Sequence, residues 1–173
     1  MHQEKNLKFW GHNCFSIETD NSVLIIDPWF TEKGAFFGSW YQYPKNHHLK
    51  EDVLYFLERK KNAFIFVTHE HQDHYDDNFL QLIPENSKII IPNYSDKRFK
   101  EQISNFSKYI MEMSDNESEV LSENLEIKLL ISDIGINHDS AILIKTDKFT
   151  FFNQNDCKVF DRLHEIEEEI DFY

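Results

Sequence analysis

Along the first thirty residues short apolar-rich runs are set between polar turns, the pattern of short strands. Residues 7–10 and 14–18 read as two such strands. Asp20-Asn21-Ser22 supplies the turn into a third at 23–27, so the three predict a β-meander. Asp27-Pro28 ends the third strand, because proline has no N–H to give to a ladder. Residues 29–48 follow without a clear period. Residues 51–61 carry acids first and bases last, as a helix dipole favours. Ala63-Phe64-Ile65-Phe66-Val67 is an unbroken apolar run and reads as a buried strand. Asp76-Asp77 then opens a helix through Phe79, Leu80, Leu82 and Ile83, which Pro84 stops. Residues 88–91 form a strand closed by Pro92, residues 95–106 an amphipathic helix, and residues 109–111 a short strand. From Asn116 the pattern is of strands, at 125–131, 141–144 and 149–152, with Thr146-Asp147-Lys148 as the hairpin turn. The acidic stretch 160–173 reads as a helix. No repeat or linker divides the chain, and one domain over 1–173 is expected.

Composition narrows the possible partners. A chain of 173 residues can bury roughly 70% of its unfolded surface, and 40% apolar content supports a packed fold. The formal charge of −13 repels phosphate backbones, which argues against a nucleic-acid partner. No apolar run reaches the length of a membrane span. Cys14 and Cys157 are too few for a disulfide framework, so a reduced, cytoplasmic protein is expected. Four glycines assemble no phosphate loop and no dinucleotide fingerprint.

The chemistry concentrates after the apolar run 63–67. His69-Glu70-His71-Gln72-Asp73-His74 places three imidazoles and a carboxylate within six residues. In an extended backbone alternate side chains point the same way, so His69 and His71 reach one ion together. Asp73 and His74 follow once the chain has turned, which suits a second ion. These ligand types favour a divalent transition metal, zinc first, with iron or manganese as alternatives. The absence of Cys argues against a closed structural zinc site. Elsewhere, His12 between the first two strands either reaches this site or caps a turn. Asp27 either orients a ligand histidine or caps its own turn. The aromatic segment 29–48, Trp40 included, either walls a pocket for a small-molecule substrate, with His12 and Trp40 as substrate contacts, or packs over the sheet. His47 and His48 lack the spacing of ligands. His138 and Asp156 fall at strand edges, where they could complete two adjoining metal spheres.

His69-x-His71-x-Asp73-His74, preceded by a strand ending Ile25-Ile26-Asp27-Pro28, strongly resembles the metallo-β-lactamase superfamily. The resemblance implies an α+β fold, an αββα sandwich with one or two ions at the sheet edge. It implies that His69, His71 and His138 hold the first ion, Asp73 and His74 the second, and that Asp156 bridges both. Gly11-His12 with Asp27-Pro28-Trp29 resembles the branch with sugar-phosphate lactonases and phospholipase-like hydrolases. Asp27-Pro28-Trp29, the segment 37–44 and Asn153-Gln154-Asn155-Asp156-Cys157 are similar to the metallo-β-lactamase-like part of CMP-N-acetylneuraminate hydroxylases. Two departures stand out. His138 precedes Ser140 by two residues where the family shows about four, so Asp139 competes as a ligand. The family's last His has no counterpart beyond Asp156 except His164, within the expected helix. The sandwich is therefore expected to be incomplete at its C-terminus, and a homo-oligomer or further chain is expected to complete it.

Three activities follow from the resemblance. The first is metal-assisted hydrolysis of an ester, lactone, amide or phosphoester, with Asp73 as the catalytic residue that takes the proton of the attacking water. The second is iron-dependent hydroxylation of a sugar-like substrate. The third is a catalytically silent metal-binding fragment.

Overall fold

The first three strands read from the sequence pair as the meander requires. In the computed structural model, which describes residues 7–134 and 137–173 without the side chains of Ile134, Asn137 and Phe160, strands β1 (Leu7–Gly11), β2 (Cys14–Glu18) and β3 (Ser22–Ile26) are successive antiparallel neighbours. The chain divides into two compact units, Met1–Ile91 with Arg98–Met111, and Pro92–Lys97 with Glu112–Tyr173.

In the first unit, helix α1 (Lys50–Arg59) returns the chain to β4 (Asn62–Phe66), which pairs parallel to β3. Strand β5 (Lys88–Pro92) pairs parallel to β4 on its other side. Every residue of β3 is buried, as are the last four of β4, which is why these strands lack polar alternation. Val53, Leu54 and Leu57 of α1 are buried, so the helix gives one apolar face to the core. The expected helix after Asp76 is a single turn, α2 (Asp77–Leu80). The carboxylate of Asp76 caps it by accepting the N–H groups of Asn78 and Phe79. Helix α3 (Arg98–Ile103) is shorter than the amphipathic pattern suggests. Strand β6 (Ile110–Met113) closes the sheet order β1-β2-β3-β4-β5-β6 and carries the chain into the second unit.

The second unit is built on a four-stranded antiparallel sheet of order β10-β9-β8-β7. Its strands are β7 (Ser118–Ser122), β8 (Leu125–Ile134), β9 (Asn137–Thr146) and β10 (Thr150–Asn153). Strands β8 and β9 are longer than their apolar runs, and His138-Asp139-Ser140 lies inside β9 rather than interrupting it. Leu130, Ala141, Leu143, Phe152, Cys157 and Val159 form the buried cluster of this unit.

The expectation of a helix over residues 160–173 is corrected. A 3-10 helix covers Phe160–Glu165, and the chain beyond it runs alongside β10. Phe172 forms a parallel bridge with Phe151, and its carbonyl accepts the Phe152 N–H at 2.9 Å. The open edge of β10 offered N–H and C=O groups that an isolated acidic helix could not satisfy. Ile166 and Ile170 pack against the buried cluster of the sheet. Arg162 holds the segment by donating to both Asp115 oxygens at 3.0 Å and to the Ile131 carbonyl at 2.9 Å.

Candidate metal centre

Parallel strands β3 and β4 run in register, with Ile26 beside Phe66, so Asp27 leaves the sheet beside Val67 and Thr68 follows one residue on. The carboxyl ends of parallel strands are where such sheets place ligands. The Asp27 N–H donates to the Phe66 carbonyl at 2.9 Å, and its backbone takes a φ of 42°. The buried Asp27 carboxylate then gathers four donors. Its Oδ1 accepts the Thr68 N–H at 2.8 Å. Its Oδ2 accepts the Thr68 hydroxyl at 2.8 Å, Asn13 Nδ2 at 2.8 Å and His74 Nδ1 at 2.9 Å. Nδ1 facing a carboxylate carries the ring hydrogen, which leaves His74 Nε2 with the lone pair. Of the two sequence readings of Asp27, the structure supports the one that orients a histidine.

The same relay reaches His69. Thr68 Oγ1 lies 2.9 Å from His69 Nδ1, and His69 Nε2 lies 2.8 Å from His71 Nδ1. The N–H groups of His74 and Tyr75 both donate to the His71 carbonyl at 3.0 Å, and this tight turn reverses the chain. His69 and His74 therefore face each other, with ring centroids 4.5 Å apart. His69 is 1% exposed. Burial, reinforced by the neighbouring His74, pushes its pKa down to about 3, so the ring is neutral and fit to ligate.

Asp73 is 3% exposed. Its Oδ2 lies 3.1 Å from His12 Nε2 and 3.7 Å from His74 Nε2. Its Oδ1 is buried and has no hydrogen-bond partner among the described residues. Burial pushes the carboxyl up, but the His12 hydrogen bond and the field of His74 outweigh it and hold the pKa below 3.8. One ligand atom each from His12, Asp73 and His74 lie within 4.8 Å of one another. His12 thus reaches the cluster instead of serving only its turn.

Residues 29–48 lie beside this cluster. Trp40 is half exposed, with its ring 5.7 Å from His12 and 6.0 Å from Phe36. Phe36 stands 6.1 Å from His71, and its N–H donates to Gln72 Oε1 at 2.6 Å. Asn46 fastens the segment, donating to the carbonyls of Trp10 at 3.2 Å and Trp29 at 3.0 Å. His47 lies 3.6 Å from Glu32, and His48 is exposed. Thr68, Asn13 and Gln72 escaped the sequence reading. Only their position beside candidate ligands marked them.

The remaining expected ligands lie in the second unit. His138, on β9, pairs through Nδ1 with Asp133 of β8 and lies 5.2 Å from the Tyr94 ring. Burial pushes the Asp133 carboxyl up, and the Ser95 N–H together with His138 more than offset it. Asp139 Oδ1 accepts the Ser140 N–H at 2.7 Å and Asn155 Nδ2 at 3.0 Å. Asp156 is exposed in the turn after β10. Cys157 beside it is buried, and burial pushes its thiol up to about 12, which disfavours a thiolate ligand.

The donors around Asp73 fit a divalent transition ion. Imidazole nitrogens and carboxylate oxygens converge, and among the described residues the buried Asp73 Oδ1 lacks the partner that a buried carboxylate oxygen requires.

A protein of Mycolicibacterium smegmatis named as a Rieske 2Fe-2S iron-sulfur protein is 25% identical over 159 residues, covering 87% of this chain and 29% of its own length. The structure resembles that of CmlA, a diiron β-hydroxylase from Streptomyces venezuelae, with a TM-score of 0.65 and 16% identity, covering 95% of this chain and 33% of that one. It also resembles Igni18, a metallo hydrolase from Ignicoccus hospitalis, with a TM-score of 0.53 and 18% identity, covering 84% of this chain and 58% of that one. The chain thus spans less than two thirds of the length of each. The family model described as the beta-lactamase superfamily domain matches residues 6–141. With that match over most of its length, and with the strand-end His/Asp cluster, the chain belongs to the metallo-β-lactamase superfamily and has its fold.

Proposed function

We propose that this chain is a metal-dependent hydrolase, or the metal-bearing part of one, acting on an ester, lactone, amide or phosphoester. The observation that carries the proposal is the buried Asp73 carboxylate, with one oxygen lacking a partner among the described residues, set among histidines whose ring orientations are fixed by Asp27 and Thr68. His69 and His71 would hold one ion, and Asp73 and His74 a second. His138 and Asp156 remain the proposed further ligands, with Asp139 as the competitor to His138. Zinc is the proposed metal, because imidazole and carboxylate suit it and no redox step is required. When bound, such an ion lowers the pKa of a water from 15.7 towards ~7 and polarises the attacked bond.

The chain's own residues would do the rest. Asp73, held below the ordinary carboxylate range, stays ionised at neutral pH and accepts the proton of the attacking water. Asp27 and Thr68 fix the histidine tautomers. The ring of Trp40, with His12 behind it, would form a wall against which a small substrate lies. Chelation followed by reconstitution with zinc tests the proposal. Turnover of generic esters, lactones or phosphodiesters should disappear and return, and turnover that survives chelation would refute it.

The likeness to a diiron β-hydroxylase favours a second reading, iron-dependent oxygenation. Bound iron without zinc after anaerobic purification would support it over hydrolysis. The proposal also includes a reducing compartment, since Cys14 and Cys157 are both free and buried. No helix among the described residues is long and apolar enough to cross a membrane. Self-association is proposed too, supported by fully exposed aromatics such as Phe37 and Tyr43. Light scattering at micromolar concentration tests this, and a monodisperse monomer would refute it.

A further inference from the structure

We propose that His12 is itself a metal ligand, the third protein donor to an ion held by Asp73 and His74, so that the first unit alone carries a complete three-ligand site. The inference rests on the metal-dependent reading above.

The donor atoms are spaced for it. Bonds of ~2.0–2.2 Å in a tetrahedral set put neighbouring donors roughly 3.3–3.6 Å apart. His12 Nε2 and His74 Nε2 lie 3.1 Å and 3.7 Å from Asp73 Oδ2, on either side of that range. All three residues offer an atom within 4.8 Å of the others. His74 presents Nε2 because Asp27 occupies its Nδ1. A hydrogen bond to His12 does not by itself satisfy Asp73, whose Oδ1 remains buried and without a partner among the described residues.

The backbone adds an independent argument. The turn between β1 and β2 takes φ of 124° at Gly11 and 49° at His12. Glycine adopts such angles freely, and histidine, with Asn and Asp, is among the side chains that take them more readily than most, though still uncommonly. At Gly11 the φ of 124° strains any residue with a Cβ, and such a Cβ would also stand 2.5 Å from Gln42 Oε1, which would have to move. A turn built only to join two strands has no need of an imidazole at position 12. Yet the chain keeps an imidazole there and aims it at a carboxylate 61 residues away. Trp29, Trp40 and His74 pack edge-on around its ring, with centroids 5.3 Å, 5.7 Å and 5.0 Å distant. Strain at one residue, held by packing on three sides, is the pattern of a functional position. Three protein donors also leave one position of a tetrahedral ion open, as catalytic sites require and structural sites do not.

The test uses the intact chain, stripped of metal and titrated with Co(II), read by absorption and by a competing chelator. Asn and Gly both tolerate positive φ, so His12→Asn and His12→Gly preserve the turn where Ala would strain it. The wild type should bind Co(II), and each variant should bind more weakly by over ~100-fold, beyond the ~10–100-fold that losing an outer hydrogen-bond partner causes. The ligand-field bands should also change, and added imidazole should restore them in His12→Gly. Unchanged affinity and bands in both variants, with unchanged circular dichroism, would overturn the inference and leave the metal-dependent reading standing. A wild type that binds no Co(II) would overturn that reading and this inference together.

Discussion

Replacing Asp27 by Asn changes one atom type at the point where the scaffold meets the centre. The carboxylate receives four donors, one on Oδ1 and three on Oδ2, at 2.8–2.9 Å. An amide must turn its NH2 towards one of these sets. The less costly orientation points it at the Thr68 N–H, losing one buried bond to a carboxylate, about 1.5–3 kcal/mol. The three bonds on the other oxygen survive but lose their charge assistance, roughly 0.5–1 kcal/mol each. The sum is about 3–6 kcal/mol, on the scale of breaking other buried charged pairs. Urea denaturation of the metal-free chain should show this loss as a lower midpoint with an unchanged slope. In the folded variant His74 loses the partner that fixes its ring, and metal affinity should fall ~10–100-fold by competition titration. A stability change below about 1 kcal/mol, with affinity within twofold of wild type, would refute the role assigned to Asp27.

Further outcomes follow from the same contacts. His69 is pushed down to about 3 by burial, so the folded metal-free chain refuses a proton that the unfolded chain accepts near pH 6.5. Its contribution is therefore complete above pH 6.5 and lost as pH falls towards 3, by at most about 1.4 kcal/mol per pH unit. Denaturation midpoints measured between pH 7.5 and 4.5 should fall, and His69→Gln should flatten that slope. Asn46→Ala removes the bonds to the Trp10 and Trp29 carbonyls and should cost about 2 kcal/mol. Limited proteolysis should then cut within residues 31–44 faster than in wild type. Asp76→Ala removes the cap of α2 and the acceptor of the Phe30 N–H, and should lower stability by about 1–2 kcal/mol in thermal denaturation.

The meander and the buried strand before the cluster were legible because their patterns are local. Residues 7–18 form short strands that keep polar positions, and 23–26 and 63–67 are unbroken apolar runs, as partly buried and fully buried strands must be. The positions of His69 to His74 followed from that strand's end. Strand β7 escaped notice because Ser118–Ser122 is a polar edge strand in which Val120 is 65% exposed. The tail 160–173 carries helix-like spacing, and only the unfilled edge of β10 decides its course. His138-Asp139-Ser140 reads as a polar break, yet cross-strand pairing with β8 keeps it in the ladder. His12 was undecided for a different reason. Its role depends on a left-handed turn and on a carboxylate 61 residues away, and neither leaves a periodic trace.

The central claim is that the cluster from His69 to His74 holds metal, and elemental analysis of the purified chain tests it most directly. One to two equivalents of a divalent transition metal are predicted in the wild type, with at least one lost in the His69→Ala/His71→Ala double variant. A double variant that stays folded and retains the full wild-type metal content would contradict the account.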